Sequence, residues 1–349
     1  MTTTAHICAI GARTPVGLLA ETSAAAVRAG ISRITEHPVL LDRHGEPVYG
    51  CIDAQLDLAL NGAQRLLALS RPALTEVFTK LSANVQINGS VAVLLALPEL
   101  RPGWANHDSD AVVHGLTATQ APGVAAPHVQ VVGHGHAGAL HALGLATQQI
   151  EAGALELCIV GGVDSYFDGP VLNWLDKRRL LAGNSRAGFI PGEAAAFTAV
   201  GSAMALRALG LPSLATVRGW HSTIAADRSN VTPATPGTAL ADAINTATRG
   251  LQPPQERIND VLCDINGERY RSEEWAFTML HTHARLVDGT RYIAPTSAWG
   301  DTGAATGSLL SALAVRAWAR GYASGPLAMA WAGSFGGLRS AVVLQAPSV

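Results

Sequence analysis

Three histidines stand close together in GHGHAGALH, as His134, His136 and His141. The first two have H-x-H spacing. On a continuous strand both would face one side and could ligate a metal. The glycines between them argue against a continuing strand, and the spacing offers no third ligand, so no metal is expected. The same stretch fits G-x-G-x-x-G through Gly133, Gly135 and Gly138, the pattern of a dinucleotide-binding turn. The acidic residue of such a site is misplaced here. Asp164 comes 31 residues after Gly133, and Glu156 precedes the next strand instead of ending it. A tight strand-to-helix elbow is the better reading, and no cofactor is expected. The elbow sets His136 at a helix N-terminus, where backbone N–H groups favour negative charge and so suit a nucleophile or an oxyanion.

GDTGAATG (300–307) resembles a phosphate-cradling loop only loosely, because it lacks the Lys-Ser/Thr ending. SFGGLRS (334–340) reads as a hairpin turn with glycine at its tip. His281 and His283 read as surface residues of a helix or loop. Cys8, Cys51, Cys158 and Cys263 are scattered, three of them inside apolar runs, and read as buried free thiols.

Elements must hold these residues in place. HICAIG (6–11) reads as a strand, then a turn, then a helix to about Ala29. Residues 32–50 read as loop and hairpin, 53–80 as helices and SVAVLLAL (90–97) as a buried strand. Pro, Gly, Asn and Asp recur through 98–127, which reads as irregular loop. HVQVV (128–132), the glycine turn, a helix at 139–153 and LELCIVGG (155–162) then form a βαβ unit, which implies parallel strands. SLATVRGW (213–220) and DVLCDI (260–265) read as strands and 239–251 as a helix. Residues 291–319 repeat the plan of strand, glycine turn and helix, and PLAMAWAGS and LRSAVVLQA read as a closing strand pair. The recurrence hints at internal duplication within one body.

The 349 residues are 48% apolar and 14% charged, with formal net charge −2, which describes a globular chain with a large core. No basic stripe supports nucleic-acid binding. The N-terminus lacks a signal-peptide pattern, and the longest apolar runs are too short to span a bilayer. The expectation is a soluble cytoplasmic protein without membrane or nucleic-acid partners.

In order along the chain, the segments resemble those of β-ketoacyl synthases. ICAIGARTPVG resembles their opening strand and turn, and ISRITEHPVLLDRHGEPVYGCID the segment after the first helix. GHGHAGALHALGLATQQIEAGALELCIVGGVDS resembles the nucleophile elbow, its helix and the next strand. NSRAGFIPGEAAAF (184–197) resembles the arginine–glycine–phenylalanine segment, and SFGGLRSAVVL the closing glycine-rich pair. The resemblance covers nearly the whole chain. It implies an α/β thiolase fold: two similar βαβ halves, at 1–205 and 206–349, in an αβαβα layered arrangement, commonly paired as a homodimer through the strand near 128–132.

On this resemblance the family's cysteine falls on His136, its two histidines on Asn266 and Asp301, and its lysine on Thr296. Condensation needs a thiolate to carry the acyl chain and donors to stabilise an enolate. An imidazole would hold an acyl group only as a labile acyl-imidazole, and an ionised Asp301 would repel the enolate. The resemblance therefore implies a non-condensing protein that acts by binding. Its partner would be an active ketosynthase, as with chain-length factors, an acyl carrier protein, or a type VI secretion effector and its adaptor. The alternative is an acyltransferase or decarboxylase in which His136 is a base oriented by Asp301 beside Asn266. In either case an acyl tunnel is expected to be reduced or closed.

Overall fold

The structure is a computed structural model that describes residues 4–83, 90–120, 122–183, 185, 187–225 and 237–347. The chain runs through β1 (Ala5–Arg13), α1 (Ala20–Arg28), a hairpin of β2 (Thr35–Leu41) and β3 (Pro47–Gly50), and α2 (Gly62–Leu81). Next come β4 (Ala92–Leu97), α3 (Asn106–Thr117), β5 (His128–His134), α4 (Gly138–Glu151) and β6 (Leu157–Ser165). They are followed by α5 (Gly169–Lys177), β7 (Glu193–Ser202), α6 (Ala203–Ala208), β8 (Ala215–Ile224), α7 (Thr238–Ala247) and β9 (Asp260–Cys263). The chain ends through α8 (Arg269–Thr282), β10 (Tyr292–Ile293), α9 (Thr296–Trp299), α10 (Thr306–Ala319), β11 (Leu327–Gly333) and β12 (Leu338–Gln345).

One strand order occurs twice. The sheet reads β10-β9-β11-β12-β8-β1-β7-β6-β4-β5. Outward from the middle, each set of five runs first, fifth, fourth, second, third in chain order. In each set only the fifth strand, β7 or β12, is antiparallel to its neighbours. The sets join where β1 and β8 pair antiparallel through His6–Thr216 and Ile7–Ala215. The outer ends differ in length: β5 has seven residues and β10 has two.

Five layers follow from the three largest clusters of buried residues. In the middle, Leu140 and Leu143 of α4 and Leu309, Leu310 and Leu313 of α10 pack between the inner faces of both sets of strands. These two helices are apolar over most of their surface, and α4 exposes polar residues only near its C-terminal end. A fully buried leucine contributes roughly 1.5–3 kcal/mol. On one outer face Leu69, Leu74 and Phe78 of α2 cover Val93, Leu95 and Phe197. On the other, Leu240, Ile244 and Trp275 of α7 and α8 cover Met329, Trp331 and Val343. Strands β6, β7 and β11 are buried on both faces and so lack polar alternation.

One expectation needs correction. The stretch 98–127 is not wholly irregular, because it contains the 12-residue helix α3. Val112 and Leu116 form its buried stripe, and Asp108 accepts the Ala105 N–H at 2.9 Å as a cap. The flanking Pro and Gly obscured that short i, i+4 pattern. Between β10 and α10 the chain also makes the four-residue α9 and a 3₁₀ turn at Gly303–Ala305, where a simple glycine turn was expected.

Candidate functional site

His136 lies in the elbow between β5 and α4. The bend needs its glycines. A Cβ on Gly133 would sit 2.7 Å from the backbone of Gly138, so strand and helix could not meet as they do. Gly135 has φ +67°, which other residues rarely adopt. The chain itself uses the first free N–H of α4. Ala137 N donates to Ser334 Oγ at 3.0 Å, and that hydroxyl donates to His134 O at 2.8 Å. One donor of a potential oxyanion hole is therefore already satisfied internally.

The structure brings His136, Asn266 and Asp301 together, all buried. Nε2 of His136 lies 2.7 and 2.9 Å from the Asp301 carboxylate oxygens. Asp301 also accepts from Asn266 Nδ2 at 2.5 Å, Tyr166 Oη at 3.1 Å and Gly303 N at 2.9 Å. Around this pair, Arg271 binds Glu268 at 2.9 Å, Gly333 O at 2.8 Å and Asp264. Its Nη2 is 3.4 Å from His136 Nδ1 and 3.5 Å from Nε2. Being nearly equidistant from both nitrogens, it lies against the ring and is not aimed at the Nδ1 lone pair. On the far side Arg101 pairs with Asp164 at 2.5 Å and stacks over Tyr166, with its guanidinium carbon 4.5 Å from the ring centre. Asp164 in turn accepts from Ala304 N at 3.0 Å. A Cβ on Gly303 would fall 2.0 Å from that carboxylate, so only glycine lets the 3₁₀ turn approach it.

Four buried carboxylates (Asp164, Asp264, Glu268, Asp301) face two guanidiniums and the imidazole. Burial disfavours the imidazolium, but the Asp301 charge and hydrogen bond outweigh burial and Arg271, and the His136 pKa is raised. For Asp301, burial opposes the charge, yet His136, Arg271 and Asn266 together hold its pKa below the ordinary carboxylate value. Desolvation pushes the Tyr166 phenol well up, so it stays a donor.

No acyl-sized space adjoins the pair among the described residues. The void beside it measures about 10 Å3, between Thr296, Trp299 and Leu310, close to the minimum one water needs. Phe335 stands edge-on to the His136 ring at 5.8 Å between centres. Glu99 fixes the Phe335 turn by accepting the N–H groups of Phe335 and Gly336 at 2.9 and 2.5 Å.

The other sequence candidates scatter. His134 is exposed at the end of β5 while His136 is buried, so the H-x-H pair does not converge. His141 bonds Ser222 at 3.1 Å. Asp164, weighed as a ribose partner, is committed to Arg101. Thr296 donates to Ile265 O at 3.1 Å and bonds no charged group of the site. His281 and His283 are exposed, and the four cysteines are buried and free. Asn184 and Arg186 of the segment at 184–197 lie outside the described residues. Sequence reasoning missed Tyr166, Arg271 and Arg101. Their sequence neighbours are polar or mixed, so no local signal could have singled them out.

No family model and no curated protein matches the sequence. Solved structures do resemble it. One is described as AntDE:AntF, a type II PKS acyl-carrier protein in complex with its ketosynthase; the match has TM-score 0.79 and 16% identity over 99% of this chain and 100% of that one. The ishigamide ketosynthase/chain length factor matches at TM-score 0.74 and 20% identity over 99% and 100%. A ketosynthase from module 6 of the bacillaene synthase of Bacillus subtilis 168 matches at 0.76 and 12% over 99% and 72%. With the repeated strand order, these matches establish the fold: the chain has the thiolase-like architecture of ketosynthases and chain length factors.

Proposed function

We propose that this chain is a non-condensing ketosynthase-fold protein that works by binding a second protein, and that the partner is an active ketosynthase. In this reading His136, Asn266 and Asp301 occupy the places of the family's cysteine and two histidines, and the halves 1–205 and 206–349 descend from one duplicated unit. The observation that carries the reading is the closed His136–Asp301 pair. Nε2 is taken by the carboxylate, the Arg271 guanidinium lies against the imidazole ring, and the adjoining void measures only about 10 Å3. An Nε2 held by a carboxylate is not available for attack, and an ionised carboxylate opposes the charge an enolate must develop. The carboxylate on Nε2 and the small void weigh against an acyltransferase or decarboxylase that uses His136 as base, since a base needs a nitrogen that a substrate can reach.

The outer edge of β5 supports a partner surface, because an unpaired strand edge offers N–H and C=O groups for sheet extension. Among the described residues no helix is long and apolar enough to cross a membrane. The test is co-expression with the ketosynthase and acyl carrier protein encoded nearest to it, followed by sedimentation and an assay of ketoacyl product. A stable heterodimer whose product profile depends on this chain supports the reading. A homodimer that captures a secretion effector or its adaptor moves the partner elsewhere. Condensation or decarboxylation of malonyl-acyl carrier protein by this chain alone overturns it.

A further inference from the structure

A second cavity lies away from the His136 site. It opens between α1, α10 and the short edge strand β10 and measures about 420 Å3. That falls within the roughly 300–1,000 Å3 typical of small-ligand sites. Its walls are apolar: Val27, Leu262, Ile293, Leu313, Trp318 and Tyr322. The rim carries charge of both signs, Arg28 and Arg291 against Asp260 and Asp288.

The two signs are not equally available. Asp260 accepts the Ser324 N–H at 2.9 Å. Asp288 accepts both the N–H and the hydroxyl of Thr290, at 2.9 and 2.6 Å. Among the described residues neither arginine side chain makes a hydrogen bond or an ion pair within 4 Å. Arg28 instead stacks on the Tyr322 ring, its guanidinium carbon 4.9 Å from the ring centre, which orients its donors at the mouth. A neighbouring cleft of about 340 Å3 shares Arg28 and Tyr322 and adds Arg320, whose side chain is likewise unpaired among the described residues. Arg28 and Arg291 keep guanidinium donors free for a ligand, although the Arg291 charge also acts on Asp288.

We propose that this cleft binds an amphipathic carboxylate, with its apolar body against Trp318, Leu313 and Val27 and its head on Arg28 and Arg291. A forked guanidinium matches a carboxylate with two parallel hydrogen bonds. The apolar walls account for the body, and a volume of about 420 Å3 accommodates a single medium-length chain. The site is independent of the His136 pair and does not depend on how that pair is read.

The experiment is calorimetric titration of the full chain with sodium decanoate and, in parallel, with decanol. Decanoate is expected to bind once per chain, at least about tenfold more tightly than decanol, the difference a charge-assisted pair supplies. Arg28→Ala combined with Arg291→Ala should remove that preference and leave decanol binding unchanged. Val27→Trp should block both ligands by filling the cleft. If Val27→Trp does not fold, the arginine variant decides alone, since both arginines are exposed surface residues. Absence of decanoate binding at millimolar concentration, equal affinity for the two probes, or unchanged decanoate affinity in the arginine variant would overturn the proposal.

Discussion

Nε2 of His136 sits 2.7 Å from one carboxylate oxygen of Asp301 and 2.9 Å from the other. Nε2 thus faces both oxygens of the carboxylate, and the Asp301 charge raises the His136 pKa. In an acid–base dyad the carboxylate would hold one nitrogen and leave the other to face a substrate. Here Arg271 lies against the ring, and the void beside the pair measures only about 10 Å3. The pair therefore ties α4 to the turn before α10 and closes the space between them.

The tie depends on pH. The folded-state pKa of His136 is raised above its ordinary value of 6.5, so its stabilisation is complete below about that pH and is lost as pH rises through the folded value. Thermal unfolding of the wild type should show the midpoint falling as pH rises above about 6.5. His136→Gln should start lower and lack that alkaline slope. Asp301 has the opposite sign: its folded pKa is depressed, so its contribution is present above the ordinary 3.8 and is lost as pH falls below it. An identical pH profile for wild type and His136→Gln would show that the imidazole is neutral when folded.

Removing one member of a buried pair strands the other. Asp301→Ala should destabilise by about 3–5 kcal/mol in urea unfolding. The double variant His136→Ala with Asp301→Ala should cost less than the sum of the two single changes, because neither charge is then left alone. Strict additivity would mean that the two do not interact.

His136→Cys should not create a condensing enzyme. The site is 2% exposed at His136, and the turn at Phe335 covers it. The thiol should react with iodoacetamide only after unfolding, although its place at a helix N-terminus alone would favour thiolate. Asp301 would still oppose an enolate. Two unit charges 4 Å apart repel by about 4 kcal/mol at an effective dielectric near 20. Carbon dioxide release from malonyl-acyl carrier protein is the readout, and rapid native alkylation or release would show that the site is open.

Gly303→Ala tests the seam between the two halves. Its Cβ would meet the Asp164 carboxylate at 2.0 Å, and φ there is +47°. Circular dichroism and solubility should show a failure to fold or a loss of several kcal/mol. Gly153→Ala is the control. It also has positive φ, but nothing lies within 4 Å of the added methyl, so it should cost only about 1–2 kcal/mol.

The elbow around Gly133 and the closing strand pair were legible in the sequence because turn chemistry and short-range periodicity specify them. The meeting of His136, Asn266 and Asp301 was legible only through the order of segments along the whole chain, since they are separated by 130 and 35 residues. Arg271 and Tyr166 were not legible. Each looks like an ordinary helix or loop residue until the fold surrounds it with Asp264, Glu268 and Asp301. Glu193 is similar: it sits in an apolar strand, and its buried pairing with Arg65 at 2.6 Å spans 128 residues. Helix α3 was missed for a local reason, its apolar stripe being two residues long.

The unequal ends of the ten-stranded sheet limit how copies or partners can stack. A seven-residue edge can template another strand, whereas a two-residue edge offers too few hydrogen bonds to do so. Growth of the ten-stranded sheet through strand pairing therefore has one growing point, and once that end is occupied this sheet extends no further.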